Sequence, residues 1–205
     1  LKKESKITAE TTPQFLTFTR EDVKKEGPYL TMNPPIKSKE DQKTLWKALR
    51  NGTIDMIGTD HAPGTKKEKE VGWKDIWEAW GGLPGIQEML PIMLNGVNNG
   101  KITIQDLIRT TSKNAAKLFG LYPQKGSLIP GTDADLTIID MDQKYKIRNE
   151  DTYYKVGWTP YNGIKLQGKI KKTIIRGKIV YEEQKGIKAP NEPLYVNYLD
   201  RKSVV

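Results

Sequence analysis

The apolar run Ile54 to Thr59 stops abruptly at Asp60-His61-Ala62-Pro63-Gly64, and His61 is the only histidine in the chain. A short apolar run of this kind, Thr53–Thr59, predicts a buried strand of the parallel-sheet type. Parallel neighbours need crossover connections, usually helices. The sequence supplies them on both sides. Ser38 and Asp41 form a capping-box pattern ahead of a helix striped by Leu45, Trp46 and Leu49, and Asn51-Gly52 ends it. A second strand is predicted at Lys6–Glu10, and an apolar helix around Ile86–Leu94. Strand, helix, strand, helix, with an acid at a strand's C-terminal end, is the pattern of the closing units of a (β/α) barrel. That edge is where barrel enzymes carry their chemistry.

The remaining segments complete the outline. "TTPQFLTFTREDV" reads as loop and turn, with Thr19 capping a short helix at Arg20–Lys25. The prolines of "NPPI" hold Asn33–Ile36 extended. His61 to about Gly72 reads as a loop. "TIQDLIRTTSKNAAKLFGL" reads as a helix pair, the first capped by Thr103 and the second by Thr111 or Ser112. Beyond Gly126 the pattern turns to strands: an alternating one in "DLTIIDMD" and two more about a tight Arg176-Gly177 turn. The expected division is 1–122, α/β, and 123–205, β-rich.

Composition excludes several classes. At 36% hydrophobic and 29% charged, the 205 residues are those of a globular protein. No window reaches the roughly 18 apolar residues of a membrane helix. No cysteine means no disulfide and no thiolate metal site, and the cytoplasm is the expected compartment. The net charge of +9 invites a nucleic-acid reading, but acids interleave with the lysines of Lys66–Lys69 and Lys169–Lys172. A solvated Lys/Glu-rich surface is the expectation, with neither nucleic acid nor membrane as partner.

Asp60 and His61 carry the chemical interest. An aspartate at such an edge can ligate a cation and take a proton from water. A lone Asp-His pair is also a common cap or hydrogen-bonded pair, and one histidine cannot build a zinc site of three or four ligands. Trp73, Trp77 and Trp80 have the spacing of a helix face, which favours packing or an interface over a pocket mouth.

"GTIDMIGTDHAPGTKKEKE" resembles the metal-binding segment of the cyclic amidohydrolases: dihydroorotases, allantoinases and hydantoinases. "ETTPQFL", "MNPPIKSKEDQKTLWKALRNGTID", "AWGGLPGIQ", "TSKNAAKLFGL", "KGSLIPGTDADLTIID" and "TPYNGIKLQGKIKKTIIRGKIVYE" are similar to further blocks of that family, in family order. The resemblance implies the closing part of a TIM-like (β/α)8 barrel followed by the C-terminal strands of a small β-sandwich. It implies a two-metal site, zinc being expected. Most ligands of that site are an HxH pair on the first strand, a carboxylated lysine on the fourth and histidines on the fifth and sixth. None has a counterpart here. Together with Leu1 in place of Met, this makes the C-terminal half of a longer enzyme the expectation, with the N-terminal half as partner in a homo-oligomer, dimer or tetramer.

By the same resemblance Asp60 ligates metal and shuttles the proton, and Asn33 and the Gly81–Gly85 loop, with Gly81, Gly82 and Leu83, bind the cyclic substrate. His61 and Gln14 support the site from behind. Gly64 and Gln14 stand where family dihydroorotases usually carry histidines. Gln14 is usual in hydantoinases, and "AWGGLPGIQ" most resembles allantoinases. "MNPP" and "TKKEKE" lean toward dihydroorotase. The implied function is hydrolysis of a cyclic amide or ureide, allantoinase-like, with dihydroorotase and then hydantoinase as alternatives. A non-catalytic relative serving as a structural partner is the alternative of another class.

Overall fold

The computed structural model describes residues 7–188. Strand β1 (Glu10–Thr11) pairs in parallel with β2 (Met56–Ile57), in the register Glu10↔Met56 and Thr11↔Ile57. Backbone bonds prolong the pairing: Asp55 N–H donates to the Ala9 carbonyl (2.9 Å) and Gly58 N–H to that of Thr11 (2.9 Å). The expected strand at Thr53–Thr59 is therefore present but shorter, and the one expected at Lys6–Glu10 is displaced, sharing only Glu10 with β1, because a ladder extends only as far as a neighbour bonds it. Lys6 lies outside the described residues. A parallel bridge between His61 and Leu83 adds a third segment on the same edge.

The helices follow their caps. In α2 (Arg20–Glu26) the Asp22 carboxylate accepts from the Thr19 N–H and hydroxyl, both at 2.8 Å. In α3 (Lys39–Arg50) Asp41 N–H donates to the Ser38 hydroxyl, and Asn51 is the C-cap. Two further helices fall in segments expected to be loops. Pro13 opens α1 (Pro13–Thr17), its fixed φ suiting the first turn. Thr65 and Glu68 form a capping box on α4 (Lys66–Glu70). The apolar helix α5 spans Met89–Asn98.

The expected helix pair after Thr103 is one continuous helical run. Thr103 caps α6 (Ile104–Ile108), but the chain passes through a π turn at Arg109–Lys113 straight into α7 (Asn114–Leu118). Neither Thr111 nor Ser112 caps a helix. The Thr111 hydroxyl donates to the Leu107 carbonyl (2.7 Å) and that of Thr110 to the Asp106 carbonyl (2.8 Å), so both hydroxyls bond back into the preceding turn and neither caps a following N–H.

Strands β3 (Leu136–Lys146), β4 (Lys165–Ile175), β5 (Lys178–Glu182) and β6 (Gly186–Ile187) form one antiparallel sheet in sequential order. Arg176 (φ 47°) and Gly177 (φ 77°) make the expected tight turn, both left-handed as a two-residue hairpin requires. The sheet joins the α/β part through shared packing. Leu83 and Ile92 share a buried cluster with Ile147, Trp158, Tyr161 and Leu166. A second cluster packs Leu16, Trp46, Leu49 and Ile57 on Met93 and Leu94 of α5. No helix among the described residues is long and apolar enough to cross a membrane.

Ion pairs stitch β4 to β5. Lys169 reaches Glu183 at 2.7 Å, and Lys171 pairs with the same carboxylate. Lys185 (2.7 Å) and Lys172 (3.0 Å) flank Glu182. These lysines hold both carboxyls at about 2, below their usual 4.5. Both groups bind protons less readily folded than unfolded, so their stabilisation is complete above about pH 5 and drains as the pH falls toward 2. Thermal melts between pH 6 and 2.5 should show the midpoint falling across this range. Replacing both acids by glutamine should flatten that dependence.

Candidate active site

The site forms where β2 ends. Asp60 is one of two non-glycine residues with positive φ (45°) among the described residues, and aspartate tolerates that region better than most. The turn leaves its side chain exposed, and among the described residues nothing hydrogen-bonds its carboxylate. Immediately before it, the Thr59 carbonyl accepts from Gln14 Nε2 (2.8 Å). Gln14 is completely buried, and its Oε1 has no partner. Pro13 thus starts a helix whose second residue braces the end of β2.

His61 turns the other way. Its Nδ1 accepts from the Gly85 N–H (3.1 Å) and, more weakly, from Ile86 N–H (3.4 Å), which leaves the ring proton on Nε2. The ring lies 5.2 Å from that of Tyr154. Tyr154 in turn accepts from Gln87 N–H (2.7 Å) and donates to the buried carboxyl of Glu88. Burial pushes the Glu88 carboxyl above its usual range. Trp158 Nε1 donates to the Gly64 carbonyl (2.9 Å). The β-rich part therefore buttresses the site from behind through residues that sequence reading did not single out.

Opposite Asp60 and His61 lies the Gly81–Gly85 loop. Ala62 N–H donates to the Leu83 carbonyl (3.0 Å), and the Leu83 side chain is fully buried, so any role of Leu83 in binding falls to its backbone. The glycines permit close approach. A Cβ at Gly82 would lie 2.5 Å from the Ala62 oxygen, and one at Gly81 2.8 Å from Asn33 Nδ2. Asn33 is exposed, at the turn where "NPPI" bends, and its amide meets Gly81. All seven residues singled out from the sequence, Gln14, Asn33, Asp60, His61, Gly81, Gly82 and Leu83, thus belong to segments in direct contact around one strand end.

The tryptophans occupy no helix face. Trp73 and Trp77 belong to separate 3-10 turns, and Trp77 is 90% exposed. Trp80 lies over Gly64: a Cβ there would be 2.5 Å from its Cγ, and its Nε1 donates to the Ala62 carbonyl (2.8 Å). The Lys66–Lys69 run is not wholly a solvated face either, since Lys69 is fully buried.

A cavity of about 1140 Å³ runs from His61 beneath the sheet, lined in part by Glu88, Tyr154 and Tyr181. Asp60, Asn33 and Gly81 do not line it, so the cavity is separate from the cluster those residues form. No three His, Cys, Asp or Glu side chains converge to hold a metal ion among the described residues. An exposed carboxylate with no hydrogen-bond donor on it among the described residues, Asp60 has the chemistry of a single cation ligand.

Known proteins resemble the chain closely. The family described as "Amidohydrolase family" matches residues 8–180. A dihydroorotase of Pyrococcus furiosus is 40% identical over 184 residues, 90% of this chain and 42% of its own. An allantoinase of Saccharomyces cerevisiae is 34% identical over 196 residues, 96% of this chain and 41% of its own. The solved L-hydantoinase (dihydropyrimidinase) from Arthrobacter aurescens superposes with a TM-score of 0.85 at 37% identity, covering 91% of this chain and 42% of that one. The chain spans about two-fifths of the length of the curated relatives it matches.

Proposed function

The chain belongs to the amidohydrolase family, and from that premise we propose that it forms the C-terminal part of an enzyme that opens cyclic amides by hydrolysis of a ring C–N bond. In this reading residues 1–122 are the closing portion of a (β/α)8 barrel and residues 123–205 the sandwich portion and tail. The observation that carries it is Asp60, an exposed carboxylate just past the end of β2, next in sequence to His61 and Ala62, which pair with a glycine loop that in turn touches the Asn33 amide.

The chain's own residues divide the work. An Asp60 carboxylate oxygen takes a proton from the attacking water and returns it to the amide nitrogen as the ring opens. Asn33 Nδ2 and the backbone of Gly81 and Gly82 hold the ring's carbonyl and amide groups, since only glycine lets a backbone come so near a ligand. With Nδ1 accepting from Gly85 N–H, His61 fixes the glycine loop against the strand end. Asp60 would contribute one ligand to a divalent metal centre, a pair of zinc ions, whose other ligands lie outside the described residues. When bound, such a centre acidifies water and polarises the scissile carbonyl.

For the substrate we propose an uncharged cyclic ureide of the allantoin type. Trp80 fills the space over Gly64, so this position presents an indole and no cationic group to a substrate carboxylate. Dihydroorotate is the second reading, the Pyrococcus furiosus dihydroorotase being as similar to the chain, at 40% identity, as an L-hydantoinase of Paenarthrobacter aurescens. Allantoin, dihydroorotate and 5-substituted hydantoins offered to the complete enzyme should rank in that order by kcat/KM. Dihydroorotate leading by more than about tenfold, 1.4 kcal/mol of transition-state binding, would reverse the assignment.

A further inference from the structure

A buried lysine links the two elements assigned to ring binding. Lys69 is fully buried in α4, and its Nζ donates to the Thr31 carbonyl (2.7 Å) and the Trp80 carbonyl (2.6 Å). Among the described residues no carboxylate pairs with it. Burial lowers its affinity for the proton to about 8, so the charge sits in the fold at a cost that an apolar side chain would not incur. The surrounding contacts show what that cost secures. Glu70 accepts from the Tyr29 hydroxyl, and the Glu68 carbonyl accepts from Trp80 N–H (3.0 Å), so α4 lies as a strut between residues 29–31 and residue 80. Asn33 follows Thr31 by two residues, Gly81 follows Trp80 directly, and the Asn33 amide touches Gly81.

We propose that Lys69 is a positioning residue: by clamping the Thr31 and Trp80 carbonyls to one ammonium group it sets the placement of the touching Asn33 and Gly81, which together present polar groups to the ring. A lysine suits the task because its stem crosses the packed interior and its head offers three donors to carbonyls from separate segments. The ring-holding part rests on the functional reading above; the clamp itself rests on the geometry alone.

The test compares the complete enzyme with its Lys69→Met variant, which keeps the stem and removes the donors. Backbone hydrogen exchange should accelerate by about tenfold or more in residues 31–33 and 80–85 and stay unchanged in β3–β5. KM should rise about tenfold with kcat nearly unchanged, the pattern of lost ground-state positioning. Lys69→Arg, which keeps a buried cation and its donors, should restore most of both. If the methionine variant does not fold, Lys69→Gln carries the same comparison. Unchanged exchange in the two segments, or a fall in kcat at constant KM, overturns the proposal. An enzyme inert toward every cyclic ureide would instead defeat the functional reading, and the exchange result alone would then decide whether Lys69 is a clamp.

Discussion

Replacing Asp60 with asparagine in the complete enzyme should lower kcat by about a thousandfold while leaving KM within a few-fold, the loss expected when a general base is removed from a reaction that needs one. The substitution is informative because so little else changes. Asparagine has nearly the same shape and accepts the left-handed backbone of this position (φ 45°). The carboxylate has no hydrogen-bond partner among the described residues, so no internal contact is broken. Stability of the metal-free protein should therefore move by no more than about 0.5 kcal/mol. Metal content should fall, since an amide oxygen is a weaker ligand than a carboxylate. Steady-state kinetics, metal analysis and a thermal melt on one preparation separate these effects. Turnover within tenfold of the parent, with full metal content, would remove Asp60 from the chemistry.

Residues 1–205 expressed alone should hydrolyse no cyclic amide, even with excess zinc, whereas the complete enzyme should do so in a chelator-sensitive way. The described residues bring no three metal-binding side chains together, and one carboxylate cannot hold zinc as a site of three or four ligands does. The β1–β2 pair is only two residues long in each strand, and its open edges invite association with other chains. Assays of the purified segment against allantoin, hydantoin and dihydroorotate, together with size-exclusion elution, check both points. Hydrolysis by the segment that a chelator abolishes would show that it holds a complete site.

Local signals carried much of this protein. Ser38 with Asp41, and Thr19 and Thr103 on their own, marked helix starts that hold in the structure, where each bonds a residue three positions on, because a cap is a local bond. Arg176-Gly177 marked its hairpin because the turn itself demands left-handed residues. Failures arose where the deciding partner was also local but competed with another. Thr111 and Ser112 look like caps, yet the Thr110 and Thr111 hydroxyls found carbonyls in the turn behind them and the helix ran on. The box of Thr65 and Glu68 was legible in principle and was hidden by reading the whole His61–Gly72 stretch as loop.

For the candidate site, the sequence by itself determined which side chains are present and which of them share a segment: the acid and imidazole at Asp60-His61, the asparagine before two prolines, the glycines of "WGGLPG". It determined nothing about which segments meet. That Gln14 braces Thr59, that His61 turns from Asp60 to accept from Gly85, and that the Asn33 amide touches Gly81 are contacts between residues 24 to 48 positions apart. Lys69 is the sharpest instance. In "KKEKE" it is indistinguishable from its exposed neighbours, and only the approach of the Thr31 and Trp80 carbonyls turns it inward. Chain propensities act over a few residues. The burial of a charge depends on acceptors supplied by distant segments, and only the tertiary fold delivers those.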